Sequence, residues 1–485
     1  MKIIINSVLR LQEVPEEVLK QIKAELTIKN PNYALMKRIK PRQHWMWGQE
    51  YIKLFMYEVP GELILPRGYF ARLWNLAGLN WDMIDDQRVR LPFIEFPKEP
   101  SLRDYQEPIP DLAEQWQQGV FIAPCGSGKT ITGMGIIAKV MQPTLWITHT
   151  MDLLKQSMDS AIKFLGLSGS QIGIIQGENM SIGTHITFAT VQTLSKRDLT
   201  GLKNKFGCVV IDEAHLVFKD AAKARMFESV ISQFPAYYRF GLTASEHRSD
   251  GLIDTMFHVI GPKFYEVAQG DPRLSVMTPR VEFIETDFEF GMPTHLEKDE
   301  ETGEEEEKED MLSVQQMYVA MRCCEKRNDL IKEILGDMTA GVDYCLCLGD
   351  SLAHLNELCD YVKDFYGAKT AFICGETPKN EREKIMSGMR EGKYDFLFAT
   401  YSLAKLGLDI PRLNKLVEAT PHKDRTAVQQ AVGRIMRPSE GKLQPVVYDL
   451  WDNKVSACKK WARERAKVYR GLGCEVISGP KIRNR

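Results

Sequence analysis

The sequence has no apolar run long enough to span a bilayer, and its first residues do not read as a signal peptide. The opening stretch "MKIIINSVLRLQEV" contains only a short apolar segment, and acidic residues follow it closely. The ten cysteines show no paired spacing of the kind found in zinc sites. These absences predict a cytoplasmic protein that has no membrane partner and no cysteine-bound metal.

A general excess of positive charge is also missing, since 63 Lys and Arg residues face 65 Asp and Glu residues, a net charge of -2. The charge is unevenly distributed along the chain. Residues 297–310 hold ten acidic residues and two lysines. Residues 454–485 hold ten basic and two acidic residues, and residues 1–97 hold fourteen basic and eleven acidic residues. We interpret the acidic run as a solvated or disordered loop and the basic ends as places that hold a polyanion.

The length of 485 residues predicts about three domains. From about residue 120, β-branched runs alternate with segments of helical period, as in "GVFIAP", "TLWITHT", "HITFAT", "CVVIDEAH" and "RFGLTAS". A second series contains "DYCLCLGD", "AKTAFICG", "DFLFAT", "LNKLVEAT" and "PVVYDL". This alternation predicts an α/β fold with two parallel sheets in tandem. We expect an accessory domain over residues 1–97, then α/β domains over 98–275 and 276–485, divided where Gly and Pro cluster in residues 267–280.

The segment "APCGSGKT", residues 123–130, follows a predicted strand and opens a predicted helix. Gly126 and Gly128 allow backbone N–H groups to converge on a phosphate, and Lys129 can reach the terminal phosphates of a nucleotide. The hydroxyl of Thr130 can bind Mg²⁺. Because strand and helix flank the motif as a phosphate-binding loop requires, it predicts an ATP site.

The segment "VVIDEAH", residues 209–215, places adjacent carboxylates at the end of an apolar strand. Asp212 can hold the same Mg²⁺ as Thr130, and Glu213 can orient and deprotonate an attacking water. Paired acids after a strand can also serve only as a helix cap, but the phosphate-binding loop upstream makes catalysis the better interpretation. His215 has no second histidine at a zinc-like spacing, which favours a coupling role.

The segment "QQAVGRIMRP", residues 429–438, ends a run that predicts a helix, and it carries Arg434 and Arg437 three positions apart. This spacing places both guanidinium groups on one helix face, where their paired donors match phosphate oxygens. The alternative is a solvated basic helix end that complements the helix dipole.

The order of these motifs resembles that of superfamily 2 helicases of the DEAH-box kind, over roughly residues 100–470. The resemblance implies two RecA-like domains that bind and hydrolyse ATP with Mg²⁺ and move along a nucleic acid. It implies that Arg434 and Arg437 are fingers that reach the phosphates held at Lys129. It also implies nucleotide binding by Arg103, Gln106, Ser127, Gly407 and Asp409, coupling by His215, Thr243, Ser245 and Gln430, and nucleic-acid contacts by Thr190 and Gln192.

Two segments resemble the DNA-repair and phage recombination branch of these helicases, above all the UvsW type of branch-migration helicase. They are "GLTASEHRSDG", residues 241–251, and "RAKVYRGLGCEV", residues 465–476. The resemblance implies an ATP-dependent DNA helicase that acts on forked or junction DNA, with single-stranded DNA as a further ligand. The alternatives are an RNA helicase and a motor or binding subunit of a multi-subunit, restriction-type complex.

The accessory domain contains "KRIKPRQHWMWG", residues 37–48, in which basic residues alternate with tryptophans. Arg42 could follow phosphates while Trp45 and Trp47 stack on bases at a fork. The same tryptophans could equally be core residues, and the sequence leaves both interpretations open.

Overall fold

The structure, a computed structural model, describes residues 1–30, 33, 37, 49–59, 61–124, 126–216, 221–244, 253–268, 271, 273, 276–291, 294–298, 305–309, 311–405, 408 and 410–479. By its internal contacts the chain forms two compact units. The first comprises Met1–Pro124 and Gly128–Ala268, and the second comprises Gln269–Arg485 with the short stretch Cys125–Ser127. No helix in the described part of the chain is long and apolar enough to cross a bilayer.

The first unit begins with an accessory region that has its own apolar core and its own five-stranded sheet. Strands β1 to β7 are Lys2–Ile5, Val8–Gln12, Thr27–Lys29, Tyr51–Lys53, Met56–Tyr57, Glu62–Pro66 and Ile84–Asp86, and helices α1 and α2 are Glu16–Glu25 and Phe70–Ala77. The sheet has the order β5-β6-β2-β1-β7, and β3 pairs with β4 separately. Alternate residues of β1 and β2 point into the core, as expected for a sheet with one covered face.

The accessory region is joined to the rest of the first unit by buried arginine side chains. Arg67 donates from Nε to Oε1 of Gln118 at 2.9 Å and from Nη1 to the carbonyl oxygen of Ala236 at 2.6 Å. Arg239 donates from Nη2 to the carbonyl oxygen of Ser7 at 3.0 Å. Both arginines are 1% exposed. The structure therefore groups residues 1–97 and the following α/β sheet into one compact unit.

The larger sheet of the first unit has eight strands in the order β11-β10-β12-β9-β13-β14-β8-β15, and only β11 runs antiparallel to its neighbour. Strands β8 to β15 are Gln118–Ile122, Thr144–Thr148, Ile172–Gln176, Asn179–Ser181, Ile186–Thr190, Cys208–Ile211, Tyr238–Thr243 and Lys263–Glu266. Helices α3 to α8 are Pro108–Trp116, Lys129–Val140, Met151–Leu165, Val191–Leu194, Ala221–Ile231 and Ile253–Ile260. The five strands predicted here are present.

The second unit has a seven-stranded parallel sheet in the order β20-β21-β19-β22-β23-β16-β24. Its strands are β16 (Arg280–Glu285), β19 (Cys345–Gly349), β20 (Thr370–Ile373), β21 (Phe396–Thr400), β22 (Lys415–Glu418), β23 (Val446–Trp451) and β24 (Glu475–Val476). Helices α9 to α15 are Met311–Cys323, Glu325–Gly336, Leu352–Tyr366, Lys379–Glu391, Tyr401–Lys405, Arg425–Ile435 and Ser456–Gly471. Two parallel α/β sheets in tandem confirm the predicted fold class.

The acidic run differs from the expected loop. Strands β17 (Thr294–Lys298) and β18 (Glu305–Glu309) form a two-stranded antiparallel ribbon, whose register places Glu297 opposite Glu306. For the described residues of the acidic run, 297–298 and 305–309, the prediction of a loop was wrong, because a two-stranded ribbon obtains its hydrogen bonds from the backbone and the acidic composition does not prevent this.

Candidate active site

The predicted phosphate-binding loop lies between β8 and α4. Gly126 and Gly128 have φ angles of 82° and 81°, a left-handed conformation that side chains with a Cβ rarely adopt. A Cβ on Gly128 would lie 2.9 Å from Nε2 of Gln106. Lys129 is the first residue of α4, so its side chain begins where the free N–H groups of the helix end are found. This local geometry is suited to an anion.

Gln106 and Arg103, both predicted nucleotide contacts, precede α3 and lie next to this loop. Nε2 of Gln106 donates to Oγ1 of Thr132 at 2.9 Å and to the carbonyl oxygen of Gly128 at 3.3 Å. Oε1 of Gln106 accepts from the backbone N–H of Arg103 at 3.0 Å. The structure thus fixes this glutamine, which is 2% exposed, against the first turn of α4.

Asp212 follows β13 and is held from three sides. Its backbone N–H donates to the carbonyl oxygen of Ile147 at 2.9 Å, while Oδ1 accepts from the N–H of Glu213 at 3.0 Å. Oδ2 accepts from the hydroxyl of Ser157 at 3.2 Å. Burial, followed by the neighbouring charge of Glu213, raises the pKa of Asp212 to about 7, and Lys129 opposes this shift. A cation at this position would favour the ionised carboxylate.

Glu213 brings the two motifs together. Its Oε1 lies 3.6 Å from Nζ of Lys129, and its Oε2 lies 3.4 Å from Nδ1 of His215. The φ angle of Glu213 is 49°, which for a residue other than glycine, asparagine or aspartate is uncommon and strained. The structure therefore places Lys129, Asp212 and Glu213 in one cluster at the carboxyl edge of the sheet.

His215 contacts the next strand. Its Nδ1 lies 2.9 Å from Oγ1 of Thr243, the last residue of β14, and both residues are buried. This hydrogen bond connects the segment "VVIDEAH" to the segment "GLTAS". Ser245, the last residue of the second segment, lies outside the described residues. A displacement of His215 would therefore change its contact with Thr243, and the reverse also holds.

Of the two predicted nucleic-acid residues Thr190 and Gln192, Gln192 contacts the loop that follows β9. Nε2 of Gln192 lies 3.0 Å from Nδ1 of His149, and these residues follow β12 and β9. Thr190 is only 5% exposed, and its hydroxyl accepts from the N–H of Thr193 at 3.3 Å as the N-cap of α6. Arg42, Trp45 and Trp47 lie outside the described residues.

In the second unit, α14 ends at Ile435, so Arg434 lies in its last turn and Arg437 lies beyond it. The expectation that both arginines share one helical face was therefore wrong. Pro438 follows Arg437, and a residue before proline is disfavoured in helical conformation. Gln430, the predicted coupling residue of α14, is 6% exposed. Gly407 and Asp409 are outside the described residues.

The turn that carries Arg437 is held by a lysine that the motifs did not identify. Nζ of Lys442 donates to the carbonyl oxygen of Arg437 at 2.6 Å and to that of Pro411 at 2.9 Å. Burial, assisted by the charge of Arg437, lowers the pKa of Lys442 to about 7. Lys442 thus ties this turn to the segment that follows α13.

Ser157 and Lys442 were both missed by the motif analysis. Ser157 lies inside α5, where its 1% exposure marks it as a buried polar residue, and Lys442 lies in a polar loop. Neither belongs to a spacing pattern: Ser157 acts through a contact with Asp212, 55 residues away, and Lys442 contacts two carbonyl oxygens, those of Arg437 and Pro411. A hydroxyl on the buried face of the amphipathic helix α5 was the only signal for Ser157.

Two family models match the sequence. The first is described as type III restriction enzyme, res subunit, and matches residues 99–248. The second is described as helicase conserved C-terminal domain and matches residues 325–439. The two matches fall in the first and second α/β regions.

Three relatives illustrate the range of similar proteins. A protein of Acanthamoeba polyphaga mimivirus named as an ATP-dependent RNA helicase is 24% identical over 94% of this chain and 82% of its own length. Helicase D10 of Escherichia phage T5 is 24% identical over 84% and 83%. The DNA 3'-5' helicase XPB of Mycobacterium tuberculosis is 28% identical over 70% of this chain, which spans 58% of that relative.

Among solved structures, S. cerevisiae Dbp5 bound to RNA and ADP BeF3 has a TM-score of 0.53 at 16% identity and covers 76% of this chain and 93% of its own. T4 UvsW covers 98% and 99%, with a TM-score of 0.40 at 17% identity. The likeness to Dbp5 is one of fold alone.

Proposed function

We propose that this chain, which belongs to the superfamily 2 helicases by its two helicase domains, is an ATP-driven DNA motor that unwinds or branch-migrates forked and junction DNA. The two family matches and the helicases among its relatives confirm the family expected from the motifs and its ATP-dependent helicase activity. The DNA substrate, its branched form and the roles of individual residues are the proposal.

The cluster of Lys129, Asp212 and Glu213 is the observation that carries the assignment of the ATP site. Hard oxygen ligands suit Mg²⁺. The Thr130 hydroxyl at the start of α4 and the Asp212 carboxylate after the end of β13 offer such ligands. The raised pKa of Asp212 fits a site completed by a cation, because burial beside Glu213 leaves negative charge to be balanced. When bound, Mg²⁺ would neutralise charge on the phosphates.

Each residue of this cluster then has a separate task. Lys129 binds the terminal phosphates, Asp212 and Thr130 hold the cation, and Glu213 orients and deprotonates the attacking water. The contact of 3.6 Å between Lys129 and Glu213 gives the lysine a counter-ion that phosphate oxygens would replace. Glu213 would then be released to act on water.

Arginine fingers would supply the second half of the catalysis. We expect Arg434 and Arg437 to stabilise the charge on the transferred phosphoryl group, an effect worth roughly 10³- to 10⁵-fold in rate. Arg437→Ala should then preserve ATP binding and slow hydrolysis steeply, with Arg390→Ala as the control because Arg390 is an exposed arginine of α12 in the same unit. A normal rate of hydrolysis in Arg437→Ala would show that this arginine has no role in catalysis.

Two observations favour DNA over RNA. The segments "GLTASEHRSDG" and "RAKVYRGLGCEV" resemble the DNA-repair and phage branch, and several relatives, among them the mycobacterial one, are named DNA 3'-5' helicases. The relative named as an RNA helicase covers 94% of this chain and keeps RNA as the second candidate.

Steady-state ATP hydrolysis tests the proposal. The rate should be measured at one salt concentration without nucleic acid and with single-stranded DNA, duplex DNA, a four-way junction or RNA. We expect the junction to stimulate hydrolysis most strongly and RNA to stimulate it little. Stronger stimulation by RNA than by any DNA would identify RNA, and not DNA, as the substrate. No stimulation by any nucleic acid would favour a motor subunit that waits for a partner.

A further inference from the structure

Helix α15, Ser456–Gly471, is anchored to its sheet by one buried face. Its buried residues include Ala462, Ala466 and Tyr469. Arg465 donates from Nε and Nη2 to Asp449 at 2.7 and 2.6 Å, and the pair is almost fully buried. These contacts fix the rotation of α15 and therefore determine which residues face outward.

The outward face carries a row of four cations. Lys460, Arg463, Lys467 and Arg470 are all exposed, and successive members are three, four and three positions apart. Positions three and four apart lie on the same side of a helix, about 5–6 Å from one another. We name these four residues the basic stripe. At a rise of 1.5 Å per residue, it extends over about 15 Å.

The basic stripe is almost without acidic partners. Glu464 is the one acidic residue in the sequence of α15, and it lies 2.8 Å from Nζ of Lys467 and also pairs with Arg425. Among the described residues, the side chains of Lys460, Arg463 and Arg470 make no hydrogen bond or ion pair. A helix face that serves only solubility usually alternates opposite charges, whereas like charges at these spacings destabilise a helix.

We propose that the basic stripe binds the phosphate backbone of the nucleic acid on which the helicase acts. A duplex strand carries one phosphate per about 3.4 Å of axis, so a stripe of about 15 Å matches four to five consecutive phosphates. The charged ends of lysine and arginine side chains on a rigid helix fit the regular row of phosphates, which is the same for every base sequence. This inference rests on the proposed function, since it names a contact of the same motor.

An acidic protein is the less suitable partner. Protein interfaces depend on apolar and aromatic anchors at their centre. The exposed residues of α15 are Ser456, Lys459, the basic stripe and Gly471, none of them apolar. Trp461 and Val468 are instead partly buried against the core. The surface offers charge without an apolar centre, as backbone binding requires.

The position of α15 gives this contact a place in the motor. Glu464 pairs with Arg425, the first residue of α14, and α14 carries Gln430 and Arg434. A strand held on the basic stripe would thus lie on the helix next to the predicted finger helix. This arrangement would connect strand binding to the element on which hydrolysis is proposed to depend.

The test replaces all four residues of the basic stripe with glutamine in the full chain. Binding to a labelled single-stranded oligonucleotide and to the matching duplex should be measured over a series of salt concentrations. Each lost phosphate contact reduces the slope of log K against log salt by about 0.7 for single strands and about 0.9 for duplex. We therefore expect the slope to fall by about three and the affinity at low salt to fall roughly tenfold or more.

A matched control removes four exposed lysines elsewhere in the second unit: Lys326→Gln, Lys363→Gln, Lys369→Gln and Lys384→Gln. Both variants change the net charge equally, so an equal loss of binding in the control would overturn the inference. A stripe variant with the wild-type slope and affinity would also overturn it. Loss of binding to polyglutamate with unchanged oligonucleotide binding would assign the stripe to an acidic protein instead.

Two further measurements keep the outcome clear. Thermal unfolding should show that the fourfold variant is folded, and Arg463→Gln alone should reduce the slope by about one if the larger change prevents folding. A wild-type chain that binds no oligonucleotide would overturn both this inference and the proposed function. If the stripe variant binds oligonucleotides normally while nucleic acid stimulates ATP hydrolysis by the wild type, this inference alone is overturned.

Discussion

At the scale of single residues, the proposed active site depends on short motifs whose chemistry is local. The left-handed conformation of Gly126 and Gly128 and the position of Lys129 at a helix start could be expected from the sequence, because a phosphate-binding loop needs both, and their roles stay predictions. The positions of Asp212 and Glu213 could be expected because acids that end a buried strand lie at the edge of the sheet, and their catalytic roles stay predictions. Residues that act on these groups from elsewhere in the chain, such as Ser157, could not be predicted.

Lys129→Ala tests the phosphate contact. The terminal phosphates lose their cation in this variant, so ATP turnover should fall by roughly 10³-fold or more. Lys139→Ala is the matched control because Lys139 lies on the same helix, is exposed and pairs with Asp111 at 2.6 Å. Steady-state ATP hydrolysis measures both variants. Turnover retained by Lys129→Ala would remove the site assignment.

Ser157→Ala tests the positioning of Asp212. The hydroxyl of Ser157 donates to Oδ2 of Asp212 at 3.2 Å, and a hydrogen bond to a charged group is worth about 1.5–3 kcal/mol. We expect kcat to fall roughly tenfold and the Mg²⁺ concentration for half-maximal activity to rise, with little change in KM for ATP. A purely structural role would lower the unfolding temperature without moving the Mg²⁺ requirement.

Ser160→Ala provides the comparison for this experiment. Ser160 lies in the same helix, and its hydroxyl donates to the carbonyl oxygen of Gln156 at 2.8 Å and not to an acid. The Mg²⁺ requirement should be unchanged in this variant. Equal Mg²⁺ titrations for the two serine variants would show that Ser157 does not position Asp212.

At the scale of elements, complete burial was one signal that revealed strands in the sequence, although the predicted strands β20 and β23 contain alternating buried and partly exposed residues. The central strands β8, β9, β12 and β13 are buried at every position and read as continuous apolar runs. The missed strands β10, β15 and β16 alternate buried and more exposed residues, and β10 also contains Gly173. A short alternating segment beside glycine or proline resembles a loop, because its partners are known only from the folded sheet.

The end of α14, the helix predicted to carry the arginine fingers, also depends on contacts that the sequence pattern does not reveal. The period of apolar residues extends to Met436, but Pro438 ends the helix before Arg437. The turn that follows is then positioned by Lys442 through carbonyl oxygens of Arg437 and Pro411. The position of Arg437 therefore depends on a contact with a later loop.

Lys442→Met should change how stability depends on pH. The pKa of Lys442 is lowered to about 7 in the folded chain, whereas an unfolded lysine has a pKa of about 10.4. The unfolded state therefore binds more protons between about pH 7 and pH 10, so this group makes stability rise with pH across that window. Its ammonium is most costly to bury below pH 7.

The measurement is the unfolding temperature from pH 6 to about pH 10 for the wild type and for Lys442→Met. The curve of the variant should rise less across this window. Lys384→Met, at an exposed lysine of α12, should give a curve parallel to that of the wild type. Parallel curves for Lys442→Met would show that the lysine does not titrate there.

At the scale of the whole molecule, the alternation of strands and helices was enough to predict two tandem α/β sheets. The joining of the accessory region to the first of them was not predictable. It depends on Arg67 and Arg239, which contact the carbonyl oxygens of Ala236 and Ser7 at sequence separations of 169 and 232 residues. Gly68 adds a close approach, since a Cβ there would lie 2.5 Å from the carbonyl oxygens of Phe257 and His258.

These contacts predict that the accessory region and the first α/β sheet unfold together. Two effects of opposite sign compete at Arg67. Burial lowers the pKa of Arg67 well below its usual range, which shows that its charge is costly to bury. Its removal, however, would leave Gln118 Oε1 and the carbonyl oxygens of Asn6 and Ala236 without these donors in a buried site.

Arg67→Met measures which of these two effects is larger. Three unsatisfied acceptors at about 1–3 kcal/mol each outweigh the relief of one buried charge, so we expect a net loss of about 2–4 kcal/mol. In a unit of this size the loss corresponds to a fall in the unfolding temperature of roughly 5–10 °C. Arg72→Met is the control, because Arg72 is exposed and its pair with Glu25 is of the kind that contributes little.

Calorimetry also tests whether the two parts form one folding unit. The accessory region should unfold in the same transition as the first α/β sheet, and Arg67→Met should lower that shared transition as a whole. Removal of residues 1–97 should then destabilise the motor, because Arg239 loses the carbonyl oxygen of Ser7 and Gln118 loses Arg67. A separate early transition in the wild type that alone moves in Arg67→Met would instead identify the accessory region as an independent domain whose contacts with the motor add little to its stability.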